Sequence, residues 1–214
     1  DVLRQLDAMR VMEITFTGGE PTLRKGFYGL LDVGRELEHA TIALITNAYA
    51  PTRHQMDRII DSGVQAIRVS VDGSRETFAR VRLVDGFDQV MRNASYLAER
   101  VPNFKILTTA MTTNYDDIFD LVDDLMAAGF RRQDLILVRA HGRGGRNMLL
   151  LSEAQTMDLM RRVDAFKRRV HPLSYELNLN APYLKEDVIP ASGTDVVFYP
   201  YLVEGASIAI SATG

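Results

Sequence analysis

The sequence predicts an α/β protein, a partial (β/α) TIM-like barrel of parallel strands followed by the start of a small C-terminal β extension. Three observations carry this. Short runs rich in β-branched residues alternate with amphipathic stretches along most of the 214 residues, the signature of repeated βαβ units. Amphipathic stretches stop at glycines, as at Gly63 and Gly129, where a left-handed residue ends a helix. Polar residues gather where several strands end: Thr17 to Glu20, Thr46-Asn47, Ser70 to Asp72, Thr112 to Asn114, and Arg139. Parallel α/β folds build their sites at that edge, and contributions from many strands suit a barrel better than the single crevice of an open sheet.

The elements follow in order. Val2, Leu3, Leu6 and Met9 have helical spacing and read as the tail of a helix, with at least one further strand expected upstream. Residues 11–16 read as a strand and 26–37 as a helix with Phe27, Leu30, Leu31 and Leu37 on one face. A strand over 41–46, a helix over 52–62, a strand over 66–71 and a helix over 87–99 come next. A strand over 104–109 precedes a helix over 115–128 that turns Ile118, Leu121, Val122 and Leu125 inward. A fifth strand over 135–139 and a helix over 152–170, with Ser152 as N-cap, complete the repeat. From Ser174 the pattern changes: Tyr175, Leu177 and Leu179 alternate like a half-exposed strand, and 208–210 form another. The expected division is therefore a barrel over 1–172 and an extension over 173–214.

Composition narrows the function. Lys+Arg 25 against Asp+Glu 28 gives a net charge of −3, which offers no footprint for nucleic acid or an anionic membrane surface. No apolar run approaches the ~20 residues of a membrane span, and the first residues lack a signal-peptide pattern, so a cytoplasmic protein is expected. The absence of cysteine excludes disulfides, thiol catalysis and thiolate-held clusters within these residues. His39, His54, His141 and His171 show no metal-ligand spacing. No metal ligand and no catalytic acid or base is assigned.

The sharpest local feature is Phe16-Thr17-Gly18-Gly19-Glu20-Pro21-Thr22, after a strand and before a helix. Paired glycines let a backbone approach a ligand with its carbonyls free, and Glu20 is placed either to accept from an ammonium or to complement a helix dipole. Leu44-Ile45-Thr46-Asn47 and Val69-Ser70-Val71-Asp72-Gly73 follow in order, then Arg82 and the Phe87-Asp88 pair.

This succession resembles the radical SAM superfamily, and residues 204–214 resemble the opening of the SPASM or twitch extension found in some of its members. The resemblance implies a barrel that binds S-adenosylmethionine, generates a 5′-deoxyadenosyl radical with a four-iron, four-sulfur cluster, and abstracts hydrogen from a peptide or small molecule. An electron donor such as flavodoxin or ferredoxin is implied as partner. By the same resemblance Gly18, Gly19 and Glu20 bind the amino group of the cofactor. Ser70 reaches its ribose or methionine portion with Asn47 nearby, and Arg82 pairs with its carboxylate. Asp72 either touches the ligand or orders the following turn, and Arg139 bounds the adenosine or substrate side.

The departures are specific. Phe78 and Ala79 stand where the family often has His-Asp, while Arg82 keeps the arginine. The family's Cys-x-x-x-Cys-x-x-Cys loop has no counterpart and is expected upstream of Asp1, which implies that this segment alone is inactive. No cysteine stands near Leu202, where an auxiliary-cluster ligand is usual. Rival readings are a cyclase like the first enzyme of molybdopterin synthesis, a degenerate non-catalytic barrel scaffold, and a phosphate-binding aldolase or isomerase. The last needs a Schiff-base lysine or catalytic carboxylate at a strand end, and the strand ends supply no such lysine. Three further features stay open. The acids Asp116, Asp117, Asp120, Asp123 and Asp124 read as a solvated helix face. His141 to Asn147 is either an exposed loop or an anion clamp, and Arg161 to Arg169 reads as a basic helix face.

Overall fold

In the computed structural model, which describes residues 2–138 and 149–180, six strands form one sheet in the order of the sequence, every neighbouring pair parallel. They are β1 (Glu13–Phe16), β2 (Thr41–Thr46), β3 (Ala66–Ser70), β4 (Asn103–Ala110), β5 (Arg132–Leu137) and β6 (Glu176–Asn180). The helices are α1 (Val2–Ala8), α2 (Phe27–Gly34), α3 (Arg53–Asp61), α4 (Arg75–Arg82), α5 (Phe87–Ala98), α6 (Ile118–Ala127) and α7 (Glu153–Arg169). This is an α/β partial TIM-like barrel, as the alternation of strand and helix patterns predicts.

Strand register sorts the side chains into two faces. Ile14, Ile42, Leu44, Ile67, Val69, Ile106, Leu135, Leu177 and Leu179 fall on one face through the paired positions and are all buried. They share one core with helix residues such as Ile59, Val90, Leu97, Leu121, Leu125 and Val163, whose spacing is the 3.6-residue period. The opposite face mixes apolar residues such as Ala43, Ile45 and Leu107 with charged ones that pair across strands. Arg68 lies 3.6 Å from Glu13, Lys105 lies 3.2 Å from Asp134, and Arg132 lies 3.1 Å from Glu176.

A buried hydrogen-bonded chain ties four strands together on the apolar side. The Tyr175 hydroxyl donates to Gln133 Oε1 at 2.8 Å, Gln133 Nε2 donates to Thr108 Oγ1 at 2.9 Å, and Thr108 donates to the Val71 carbonyl at 2.7 Å. Burial raises the Tyr175 hydroxyl well above the usual tyrosine range, so it serves as a neutral donor.

Two helices start with full capping boxes. Thr52 and Gln55 cap α3, and Ser152 and Gln155 cap α7, each satisfying orphan amides at the helix start. Gly63 and Gly129 follow α3 and α6 with φ of 75° and 89°, the left-handed geometry that a side chain resists.

Three expectations need correction. Glu176–Asn180 is the sixth strand of the main sheet, parallel to β5, and not the first strand of a separate extension beginning at 173. Its alternation arises because Leu177 and Leu179 face the core while Glu176, Asn178 and Asn180 face the opposite side. The rest of the expected extension, residues 181–214, lies outside the described residues, as does the loop at 141–147. Residues 75–82 form a helix that the pattern did not announce. The fifth strand begins at Arg132 rather than at 135, since its charged residues Arg132 and Asp134 read as loop.

Candidate functional site

The C-terminal ends of β1, β2 and β3 surround a cavity of about 360 Å³ lined by Thr17, Gly18, Gly19, Glu20, Ile45, Thr46, Asn47, Ser70 and Arg82. That is within the size range of small-molecule sites. A surface groove of about 440 Å³ lies between α3 and α5, lined by Arg53, Asp88, Arg92, Tyr96 and Arg100 among others. It sits among helix side chains, away from the strand ends, and we place the chemistry in the former.

Gly18 has φ of 130°, which explains a glycine there. A Cβ added at Gly18 or Gly19 would meet nothing within 4 Å. Among the described residues no group donates to either carbonyl, so both are available to a donor in the cavity.

Glu20 does more than face the cavity. It is the N-cap of the short 3-10 turn Pro21–Leu23, with Pro21 fixing the first position. Its Oε1 accepts from Thr22 N at 3.1 Å, Thr22 Oγ1 at 2.6 Å and Thr46 Oγ1 at 2.8 Å. Its Oε2 accepts from Asn47 N at 2.7 Å. The carboxylate thus clasps the end of β1 to the end of β2, and only Oε2 keeps a lone pair for a further donor. Thr46 is 2 % exposed and also accepts from Ala48 N at 3.0 Å. Asn47 uses Oδ1 to accept from Tyr49 N at 2.9 Å, fixing the β2 exit.

Arg82 ends α4 and reaches the same cavity. Its NH2 lies 2.6 Å from Asp72 Oδ2, and its Nε is buried with no hydrogen-bond partner. An orphaned buried N–H is costly. Asp72 does not line the cavity. Its Oδ1 accepts from Thr109 N at 2.8 Å, and its main-chain oxygen accepts from Asn114 Nδ2 at 2.8 Å.

Of the eight residues singled out from sequence, Gly18, Gly19, Glu20, Asn47, Ser70 and Arg82 line one cavity. Asp72 lies behind Arg82, and Arg139 lies outside the described residues. Thr22, Thr46 and Asn114 are the contributors that sequence reasoning missed as site residues. The polar strand end at Thr46-Asn47 and the buried asparagine after β4 were the available signals.

These residues fit the polar end of an amino-acid-bearing ligand. Two free carbonyls and a carboxylate oxygen suit an ammonium, and a guanidinium with an unmet N–H suits a carboxylate. They do not fit an iron–sulfur cluster. The chain has no cysteine, and no grouping of three or more metal-capable His, Asp or Glu side chains occurs among the described residues.

A family model described as the Radical SAM superfamily matches residues 1–125, more than half of the chain. The chain belongs to the radical SAM superfamily. The GTP 3′,8-cyclase of a Synechocystis species is 28% identical over 125 residues, covering 58% of this chain and 38% of the cyclase. The sporulation killing factor maturation protein SkfB of Bacillus subtilis is 28% identical over 129 residues, covering 60% of this chain and 31% of SkfB. The chain therefore spans only about a third of the length of these relatives. Among solved structures, Streptococcus suis SuiB bound to S-adenosylmethionine superposes with a TM-score of 0.67 at 19% identity, covering 84% of this chain and 42% of SuiB. SuiB bound to its precursor peptide SuiA gives 0.66 at 19% identity, with 83% and 40% covered. At that identity SuiB speaks to the fold, which is the same partial barrel. No helix among the described residues is long and apolar enough to cross a membrane.

Proposed function

We propose that these residues are the cofactor-binding wall of a SPASM/twitch-type radical SAM enzyme that modifies a peptide or builds a small molecule in the cytoplasm. Together S-adenosylmethionine and a reduced four-iron, four-sulfur cluster supply hydrogen-abstraction chemistry. No cysteine is available within these 214 residues to hold that cluster, and in this reading an electron donor such as flavodoxin or ferredoxin would supply the reducing equivalent.

In this proposal the Gly18 and Gly19 carbonyls and Glu20 Oε2 take the ammonium of the cofactor. Arg82 takes its carboxylate, and Ser70 and Asn47 face its ribose or methionine portion. Arg139 bounds the adenosine or substrate side. The single observation that carries the reading is the meeting of Gly18, Gly19, Glu20 and Arg82 on one cavity, with an unmet Arg82 N–H.

Peptide modification is supported by SkfB, named as a maturation protein, and by SuiB, solved with a precursor peptide. A second reading, a cyclase acting on a nucleotide, rests on the GTP 3′,8-cyclase relative. The deciding experiment is anaerobic incubation of the full-length protein with S-adenosylmethionine and a strong reductant, with 5′-deoxyadenosine as the readout. The proposal expects its formation. Intact cofactor after many hours, in protein carrying a full cluster, supports a non-catalytic scaffold instead.

A further inference from the structure

We infer that Asp72 does not contact the cofactor but positions Arg82 to receive the cofactor's carboxylate, an inference that rests on the cofactor reading above. The Asp72 side chain is 8% exposed and absent from the cavity lining, while Arg82 lines it. One carboxylate oxygen holds the guanidinium at 2.6 Å, and the other accepts the Thr109 amide at the end of β4. The Asp72 carbonyl accepts from Asn114 Nδ2, which also donates to the Thr109 carbonyl at 2.8 Å. Asn114 Oδ1 in turn accepts from Met111 N at 2.8 Å. Asp72 is thus fixed at two points besides Arg82, by Thr109 at the end of β4 and by Asn114 just beyond it.

Arg82 has no comparable anchor of its own. It is the last residue of α4, and the next residue, Leu83, is left-handed with φ of 56° and is 89% exposed. The arginine side chain is 31% exposed, and Asp72 is its one ion-pair partner among the described residues. A planar guanidinium fixed through one nitrogen presents its remaining donors in a set direction. A residue that acts through another in this way alters recognition of a single ligand group.

The test separates that role from a general structural one by varying the ligand. Equilibrium binding to the full-length, cluster-reconstituted protein is measured for S-adenosylmethionine and for decarboxylated S-adenosylmethionine, which lacks only the carboxylate. The ratio of the two dissociation constants is the carboxylate preference. Arg82→Met should lower the ratio, and an unchanged ratio overturns the cofactor reading and this inference with it. If Arg82→Met does lower it, Asp72→Asn should lower it roughly tenfold, the size of one misplaced charge-assisted hydrogen bond. Equal weakening of both ligands by Asp72→Asn overturns the positioning role and leaves the Arg82 assignment standing. A ratio that rises, because a repelling anion has gone, overturns it as well. Should Asp72→Asn fail to fold, Asp72→Glu carries the test: a partial fall in the ratio supports the inference, and a wild-type ratio overturns it.

Discussion

Thr46 Oγ1 donates to Glu20 Oε1 at 2.8 Å, joining residues 26 apart in sequence at the ends of two adjacent parallel strands. The contact makes the site's carboxylate part of the sheet's framework. Glu20 is oriented by four donors from Thr22, Thr46 and Asn47, so it needs little reorganisation to receive a ligand.

Thr46→Val is therefore expected to act on both stability and binding. It is nearly isosteric but leaves the Ala48 amide without its acceptor at a buried position and removes one of the three donors to Glu20 Oε1. The expected loss of stability is about 1–3 kcal/mol, read by urea denaturation. Affinity for S-adenosylmethionine should also fall in the full-length protein. A stable variant with unchanged affinity would separate the clasp from the site.

The chain from Tyr175 through Gln133 and Thr108 to Val71 predicts that Tyr175→Phe destabilises although it removes only an oxygen. Gln133, fully buried, would lose the donor to Oε1. The expected cost is about 1–3 kcal/mol, measured by the shift in denaturation midpoint. A neutral result would show that water replaces the hydroxyl.

Asp7 gives the pH dependence a sign. Its carboxylate accepts the amides of Glu38, His39 and Ala40, and the Glu38 amide foremost, with Ala40 next, holds its pKa below the usual carboxylate range. A depressed folded value stabilises the protein above the unfolded pKa and is lost as pH falls through the folded one. Asp7→Asn should thus lower the melting temperature at neutral pH and flatten its decline below about pH 4, where unfolded aspartates titrate. A decline in acid identical to wild type would contradict this assignment.

Gly73 follows Asp72, and a Cβ there would sit 2.5 Å from Thr77 Cγ2 and 2.7 Å from Thr77 Cβ. Gly73→Ala must displace the start of α4, the helix that carries Arg82. A loss of about 1–3 kcal/mol is expected from the overpacking, together with weaker cofactor binding. Thermal denaturation and titration on the same preparation would check both.

Much of the fold was legible because the helix-facing side of each strand is continuous in apolar residues, from Ile42 and Leu44 to Ile67, Val69 and Ile106. What misled was the other face. Charged residues such as Arg132 and Asp134 line the inside of the sheet, so β5 read as starting late and β6 read as a half-exposed strand of another module. Helix α4 was hidden by its composition, Arg-Glu-Thr-Phe-Ala-Arg-Val-Arg, which buries only Thr77 and Phe78. The cavity's residues could be named from motifs. Their mutual bonds could not, because Glu20 with Thr46 and Asp72 with Thr109 meet only when parallel strands fall into register.

The central claim is that the Gly18-Gly19-Glu20 strand end holds the amino group of S-adenosylmethionine. Titration calorimetry of that ligand into the full-length, reconstituted protein and its Glu20→Ala variant tests it most directly. The account predicts at least roughly tenfold weaker binding for Glu20→Ala, as expected for one lost charge-assisted contact. Equal affinity, in a variant that keeps its fold and its cluster, would contradict it.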